Sequence, residues 1–213
     1  MTNVGVLGSG PVGQVLARGL RKHGYQARIG SRDGSKLDVF SGETGIASGT
    51  FADVAAWADT IVLAVKGTVA LDALAAAGAE HLAGKIVIDT TNPLADAPPE
   101  DGVLRLFTGP NESLMERLQE AHPAARFVKA FSCVGNSLMV DPKLSGGRSA
   151  MFICGNDLDA RAEVGKLVGQ FGHDVWDLGS AKAARAIEPL VVLWCIPGFL
   201  QNDWTHAFAM VRP

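Results

Sequence analysis

Asn3-Val4-Gly5-Val6-Leu7 runs directly into Gly8-Ser9-Gly10-Pro11-Val12-Gly13, and the rest of the chain is organised around this stretch. The apolar run predicts a buried parallel strand. Val12, Val15, Leu16 and Leu20 then recur at helical spacing toward His23, so the glycines fall where a strand ends and a helix begins. In that context the stretch reads as a dinucleotide-binding turn. Gly8 permits the tight turn, Gly10 lets a pyrophosphate approach bare backbone, and Gly13 lets helix and strand pack closely, with the helix N-terminus aimed at the anion. A second strand, Gln26-Ala27-Arg28-Ile29, follows at the expected distance.

Gly30-Ser31-Arg32-Asp33-Gly34-Ser35-Lys36 comes next. NAD-preferring sites usually end the second strand in a carboxylate that accepts from the ribose hydroxyls. Here Ser31 and Arg32 occupy that place, and with Lys36 they suit a 2′-phosphate through charge-assisted hydrogen bonds, which predicts NADP(H). Asp33 reads either as the cap of the following turn or as a partner of Arg32.

A short third strand is expected over Thr44 to Ser48, and Thr50-Phe51-Ala52-Asp53 has the pattern that opens a helix, here to about Ala58. Thr60-Ile61-Val62-Leu63-Ala64-Val65 is a near-continuous apolar strand, as in a parallel sheet covered on both faces. At its carboxyl end Val65, Lys66 and Val69 are expected to border the cofactor. Lys66 reads either as a contact to the phosphates or nicotinamide amide, with a weak claim to proton donation, or as a solvated loop lysine. A helix over Val69 to Ala79 leads to the strand Lys85 to Asp89, with Asn92 at the crevice; Ala95 to Gly109 reads as an irregular excursion bordering the site as a flap. Ser113 to Glu116 opens another helix and Arg126 to Phe131 is the sixth strand. Further strands at Ala150 to Cys154 and Asp174 to Asp177, flanking a helix from Asp159 to Gln170, extend the sheet to about eight. The fold class is α/β, a doubly wound (Rossmann), mostly parallel sheet. Residues 1–180 form the NADP-binding domain, and 181–213 a C-terminal helical segment interrupted at Pro189 and Pro197, packing on the same domain or at a dimer interface.

Hydrophobic residues at 47% and charged residues at 19% exclude a disordered chain, and a net charge of −3 without basic clusters argues against nucleic acid and anionic membranes. Cys133, Cys154 and Cys195 lack metal-ligand spacing, as do the five histidines, so no metal is expected and a reduced compartment fits best. The apolar run Leu190 to Ile196 falls short of the ~20 residues of a spanning helix, and Met1 leads straight into a strand, so a cytoplasmic location is expected. Apolar faces on several sides of the C-terminal segment predict a homodimer.

The chain resembles the NADPH-dependent deazaflavin (coenzyme F-420) oxidoreductases. The likeness rests on the glycine turn, Gly30-Ser31-Arg32 with Lys36, Val128-Lys129-Ala130-Phe131 with Gly135 and Asp141-Pro142, Gly155-Asn156-Asp157, and Ala186-Ile187-Glu188-Pro189-Leu190. It implies that Ser31, Arg32 and Lys36 hold the 2′-phosphate, that Ser9, Gly10, Pro11 and Val12 hold the pyrophosphate, and that Val134, Gly135 and Asn136 line the nicotinamide and substrate cleft. Ser132 and Pro197 complete the expected acceptor site. Several relatives carry Asn where this chain has Ser132, and the tail here is Trp-rich, so the acceptor is open between a deazaflavin and a flavin, ferric chelate or small carbonyl compound. A non-catalytic NADP-binding sensor is the alternative of another class.

Overall fold

Alternation along the central strands decides which side chains meet which helices, because successive residues of a strand point to opposite faces. The computed structural model describes residues 3–211; Met1 lies outside them. The strands β1 (Asn3–Leu7), β2 (Gln26–Ser31), β3 (Ala47–Thr50), β4 (Thr60–Leu63), β5 (Ile86–Asp89) and β6 (Arg126–Lys129) form one parallel sheet in the order β3-β2-β1-β4-β5-β6. Val4, Val6, Val62, Ile86, Ile88 and Val128 enter one apolar cluster with α1 (Pro11–Lys22) and α7 (Leu158–Gln170). Leu7, Ile61, Leu63, Val87 and Phe127 enter another with α3 (Phe51–Trp57), α4 (Ala70–Ala77) and α6 (Leu114–Ala121). Both faces are covered, which is why the strands read as nearly continuous apolar runs. The strand order reverses between β1 and β4, and the crevice beyond their carboxyl ends is where such folds bind ligands.

The doubly wound sheet stands as expected, with four local corrections. First, the sheet stops at six strands. β7 (Ala150–Ile153) and β8 (Asp174–Asp177) pair in parallel with each other and meet β6 through a single antiparallel bridge, Lys129 with Cys154. Beyond that bridge the chain leaves β6 at Phe131, with φ 60°, and its amide donates to the Met151 sulfur at 3.1 Å rather than to a β7 carbonyl. Second, an unforeseen helix α2 (Asp38–Thr44) contains Thr44, so the third strand starts at Ala47. Third, the helix expected over Val69 to Ala79 breaks at Gly78, where φ is 89°, into α4 and α5 (Ala79–Leu82). Fourth, α8 (Ala184–Ile187) is followed by α9 (Leu190–Gln201), which accepts Pro189 at its start and runs through Pro197 without a break, ending at Asn202 in the left-handed region with φ 55°.

Ala181–Gln201, 21 residues running from a 3-10 turn through α8 and α9, is long and apolar enough to cross a membrane by length and composition, a reach that Leu190–Ile196 alone did not suggest. In the fold, Ile187 joins the second cluster, and Val191, Trp194 and Cys195 form a third. The chain then turns back along α9, and the Ala150 amide donates to the Phe208 carbonyl at 2.8 Å, fastening the tail to the edge of β7.

Candidate cofactor and acceptor cleft

Gly8 adopts φ 138°, and a Cβ there would stand 2.1 Å from the Ala64 carbonyl oxygen; one on Gly13 would stand 2.0 Å from that of Gly8. These positions admit only glycine if the turn and helix are to pack this closely on the sheet. A Cβ on Gly10 would instead meet nothing within 4 Å, projecting into open space at the mouth of α1. Gly10 is the N-cap and donates no side-chain cap to the first turn, and Pro11 follows as a residue without an amide hydrogen. The free amides of that turn therefore face the space that Gly10 leaves open, which fits a pyrophosphate.

Three cavities adjoin along the carboxyl ends of the strands. The first, about 440 Å³, takes in Gly8, Ser9, Ser31, Arg32, Lys36, Val65 and Val69. Through Gly10, Val65 and Lys66 it meets the second, about 650 Å³, between Pro11, Thr91, Leu94 and the excursion residues Ala95 to Pro98 and Leu104. Through Val12, Thr90 and Asn92 this continues into a recess of about 360 Å³ formed by Ser132, Val134, Gly135 and Asn136 on one side and Val191, Trp194 and Trp204 on the other. The structure thus brings the expected cofactor and acceptor residues to one cleft, with Gly13 beneath its floor. Pro197 is the exception. It lies inside α9 and does not line the recess, whose C-terminal wall is made by the two tryptophans instead.

At the adenosine end Arg32 and Lys36 are exposed. Asp33 turns out to be a cap: its Oδ1 accepts from the Ser35 hydroxyl at 2.7 Å and the Ser35 amide at 3.1 Å, and the hydroxyl bond first among these holds its carboxyl below the usual value. The Ser31 hydroxyl donates to the Asp33 carbonyl, so it must rotate to donate to a phosphate. Lys66 is 3.3 Å from Asp96, which also accepts from Thr68 at 3.3 Å, so both residues pin the excursion over the middle cavity. Tyr25 lies among Val4, Thr60 and Ile86 at the amino ends of the strands, its hydroxyl donating to Gln170 at 2.6 Å.

The walls of the cleft are fixed from below by a network that the motifs contained without revealing its role. Lys129, with no exposed side-chain surface, is 2.6 Å from Asp89 and 2.8 Å from Glu188, and donates to the Thr91 carbonyl at 2.8 Å. Glu188 also accepts from the Leu114 and Met115 amides at 2.8 and 3.0 Å, filling the N-terminus of α6. Burial pulls the Lys129 ammonium down, but the Asp89 and Glu188 carboxylates outweigh it and hold its pKa above the usual value. Asn92 donates to the Ser132 carbonyl at 2.7 Å, joining the turns after β5 and β6. Phe131, with φ 60°, swings the chain out of β6 so that Ser132 to Asn136 face the recess. The available signal was a lysine inside the apolar run Phe127 to Phe131, since a buried charge demands partners. Among the described residues no group of three His, Cys, Asp or Glu side chains is arranged to hold a metal ion.

The sequence model of the family described as NADP oxidoreductase coenzyme F420-dependent matches residues 3–93. A provisionally assigned F420-dependent NADP reductase from Arthrobacter sp. is 37% identical and superposes with a TM-score of 0.93, with 100% of both chains covered. The chain belongs to this oxidoreductase family. As a member it is an NADP(H)-dependent enzyme, which sets aside the sensor. Metalloreductase STEAP3 of Rattus norvegicus is 29% identical over 92% of this chain, which spans only 38% of that protein's length. A reductive aminase from Aspergillus terreus, 18% identical with a TM-score of 0.68, shares the fold over 94% of this chain and 63% of its own.

Proposed function

We propose that this member of the family passes hydride from NADPH to a flat tricyclic acceptor, a deazaflavin in the first instance, seated in the recess against the nicotinamide. One observation carries the reading: among its described lining residues the recess has no ionisable side chain, only small, neutral and aromatic ones. Reduction of a ketone calls for a positioned proton donor, usually His, Lys or Tyr. Tyr25 is at the amino ends of the strands, opposite the cleft, and Lys66 is engaged by Asp96. When bound, the nicotinamide supplies the hydride directly to a ring carbon of the acceptor.

The chain's own part is positioning and exclusion of water. Arg32 and Lys36 would hold the 2′-phosphate, and the first turn of α1 the pyrophosphate. Val12 and Asn92, which border both the middle cavity and the recess, would bracket the nicotinamide. Trp194, Trp204 and Phe131 would keep the facing ring dry and parallel, so that the two reacting carbons meet without further catalysis. A second reading, flavin or ferric chelate as acceptor, draws support from the metalloreductase likeness. NADPH oxidation assayed with 5-deazariboflavin, riboflavin, a ferric chelate and small ketones decides between them. Turnover of the deazaflavin at the highest kcat/KM is expected, and preferential turnover of a ketone would overturn the reading.

A further inference from the structure

The tail that follows α9 closes the recess from within the same chain, and its two tryptophans are held in different ways. Trp194 is fixed on every side. Its indole nitrogen donates to the His206 carbonyl at 2.8 Å, the His206 ring nitrogen meets the Trp194 carbonyl at 2.9 Å, and the two rings stack at 5.1 Å and 29°. The far edge of its ring lies so close to Gly135 that a Cβ there would stand 2.6 Å away, so the acceptor loop and α9 are locked together at this point. Trp204 rests on the bare backbone of Gly198, where a Cβ would come within 2.4 Å of its ring, and touches Phe199 edge-on at 5.2 Å. It also leans on the Trp194 ring, with centroids 5.7 Å apart and planes at 46°. Among the described residues its one side-chain hydrogen bond, at 3.2 Å, runs to Asn202, two residues away on the same exposed turn, and no strand residue donates to it or accepts from it.

Resting on the function proposed above, we infer that Trp194 is the fixed wall and Trp204 the adjustable one of the acceptor site, and that Trp204 sets which flat rings the site admits. A volume of about 360 Å³ is near the lower end of the ~300–1,000 Å³ of small-molecule pockets. It suits a ring system, with any long substituent left in the adjoining cavity or in solvent. Aromatic walls reward a flat ring through offset or edge-to-face contact, whatever the substituents carry. The selectivity of this chain then lies in a tail residue remote in sequence from the glycine turn.

The test uses the full chain with NADP⁺ or NADPH bound and two readouts. Lumichrome, the bare tricyclic ring, is titrated by quenching of tryptophan fluorescence, and steady-state kinetics are run with NADPH and 5-deazariboflavin. In Trp204→Ala, lumichrome affinity should fall and the KM for the deazaflavin rise, each about tenfold, with NADPH affinity within twofold of the parent; Trp204→Phe should recover most of both. NADPH affinity reports that the variant is folded. Lumichrome affinity unchanged in Trp204→Ala, or no lumichrome binding by the parent, overturns this inference. Lumichrome bound through Trp204 but never accompanied by hydride transfer to a flat acceptor counts against the proposed function alone.

Discussion

Replacing Lys129 by Met removes the ammonium that bridges Asp89 and Glu188 while keeping most of the apolar stem. All three side chains are buried, at 0, 0 and 1% exposure, so neither carboxylate can be rescued by water. Deleting one partner of a buried pair typically costs ~3–5 kcal/mol, because the remaining charge is stranded. For a chain of this size each kcal/mol lowers Tm by ~2–4 °C, so a fall of roughly 6–20 °C is expected by calorimetry or circular dichroism. Asp89→Asn in the same chain should return part of the loss, since one stranded charge is gone while the Asn oxygen can still accept from the Thr91 amide and hydroxyl. The pH dependence has a definite sign. A lysine whose folded pKa is raised stabilises fully below its unfolded value near 10.5 and loses that contribution as pH climbs through the folded value, so the parent should weaken above about pH 10.5 and Lys129→Met should lack that limb. A Tm shift below about 2 °C, or an unaltered alkaline limb, would refute the claim that Lys129 is the buried counter-ion holding the two turns of the cleft.

Arg32→Ala should weaken NADPH binding about tenfold or more, with NADH nearly unchanged, since a charge-assisted bond is worth ~1.5–3 kcal/mol; equal losses for both cofactors by calorimetry would contradict the 2′-phosphate role. Lys66→Ala should leave stopped-flow hydride transfer to a deazaflavin within about tenfold, against the ~10²–10⁴ that loss of a general acid costs. Leu193, Phe199 and Leu200 stand 56, 43 and 60% exposed on the outer side of α9; such a patch predicts a homodimer, and a concentration-independent monomer mass by sedimentation would dismiss it.

Much of the fold was legible because its signals are local. The glycine turn, the capping pair Thr50 and Asp53, Ser113 capping α6 and Asp157 capping α7 all act within a few residues, and each fixes an element where the sequence placed it. The adenosine and pyrophosphate parts of the cleft follow from them, since they lie at the ends of β1 and β2. What escaped depends on contacts distant along the chain. Among the described residues β7 pairs with the sheet only through the Lys129–Cys154 bridge, a long-range contact no local pattern announces, and Lys129 finds its partners on β5 and just ahead of α9. Pro197 suggested a break, yet α9 continues through it because its flanks are held by Trp194 and Gly198 against the tail. The C-terminal segment was open between packing on its own domain and a dimer interface; the turn at Asn202 brings Trp194 and Trp204 onto the recess of their own chain.

Direct transfer between two stacked rings is the central claim, and isotope tracing tests it most plainly. NADPH deuterated at either face of nicotinamide C4 is mixed with the protein and 5-deazariboflavin in a stopped-flow instrument, and the reduced ring is examined by mass spectrometry. Deuterium from one face alone should appear in the reduced deazaflavin without exchange with water, because the recess holds both rings in one orientation and excludes solvent. Deuterium lost to water, transferred from both faces, or never transferred while NADPH is consumed by another acceptor would contradict the account.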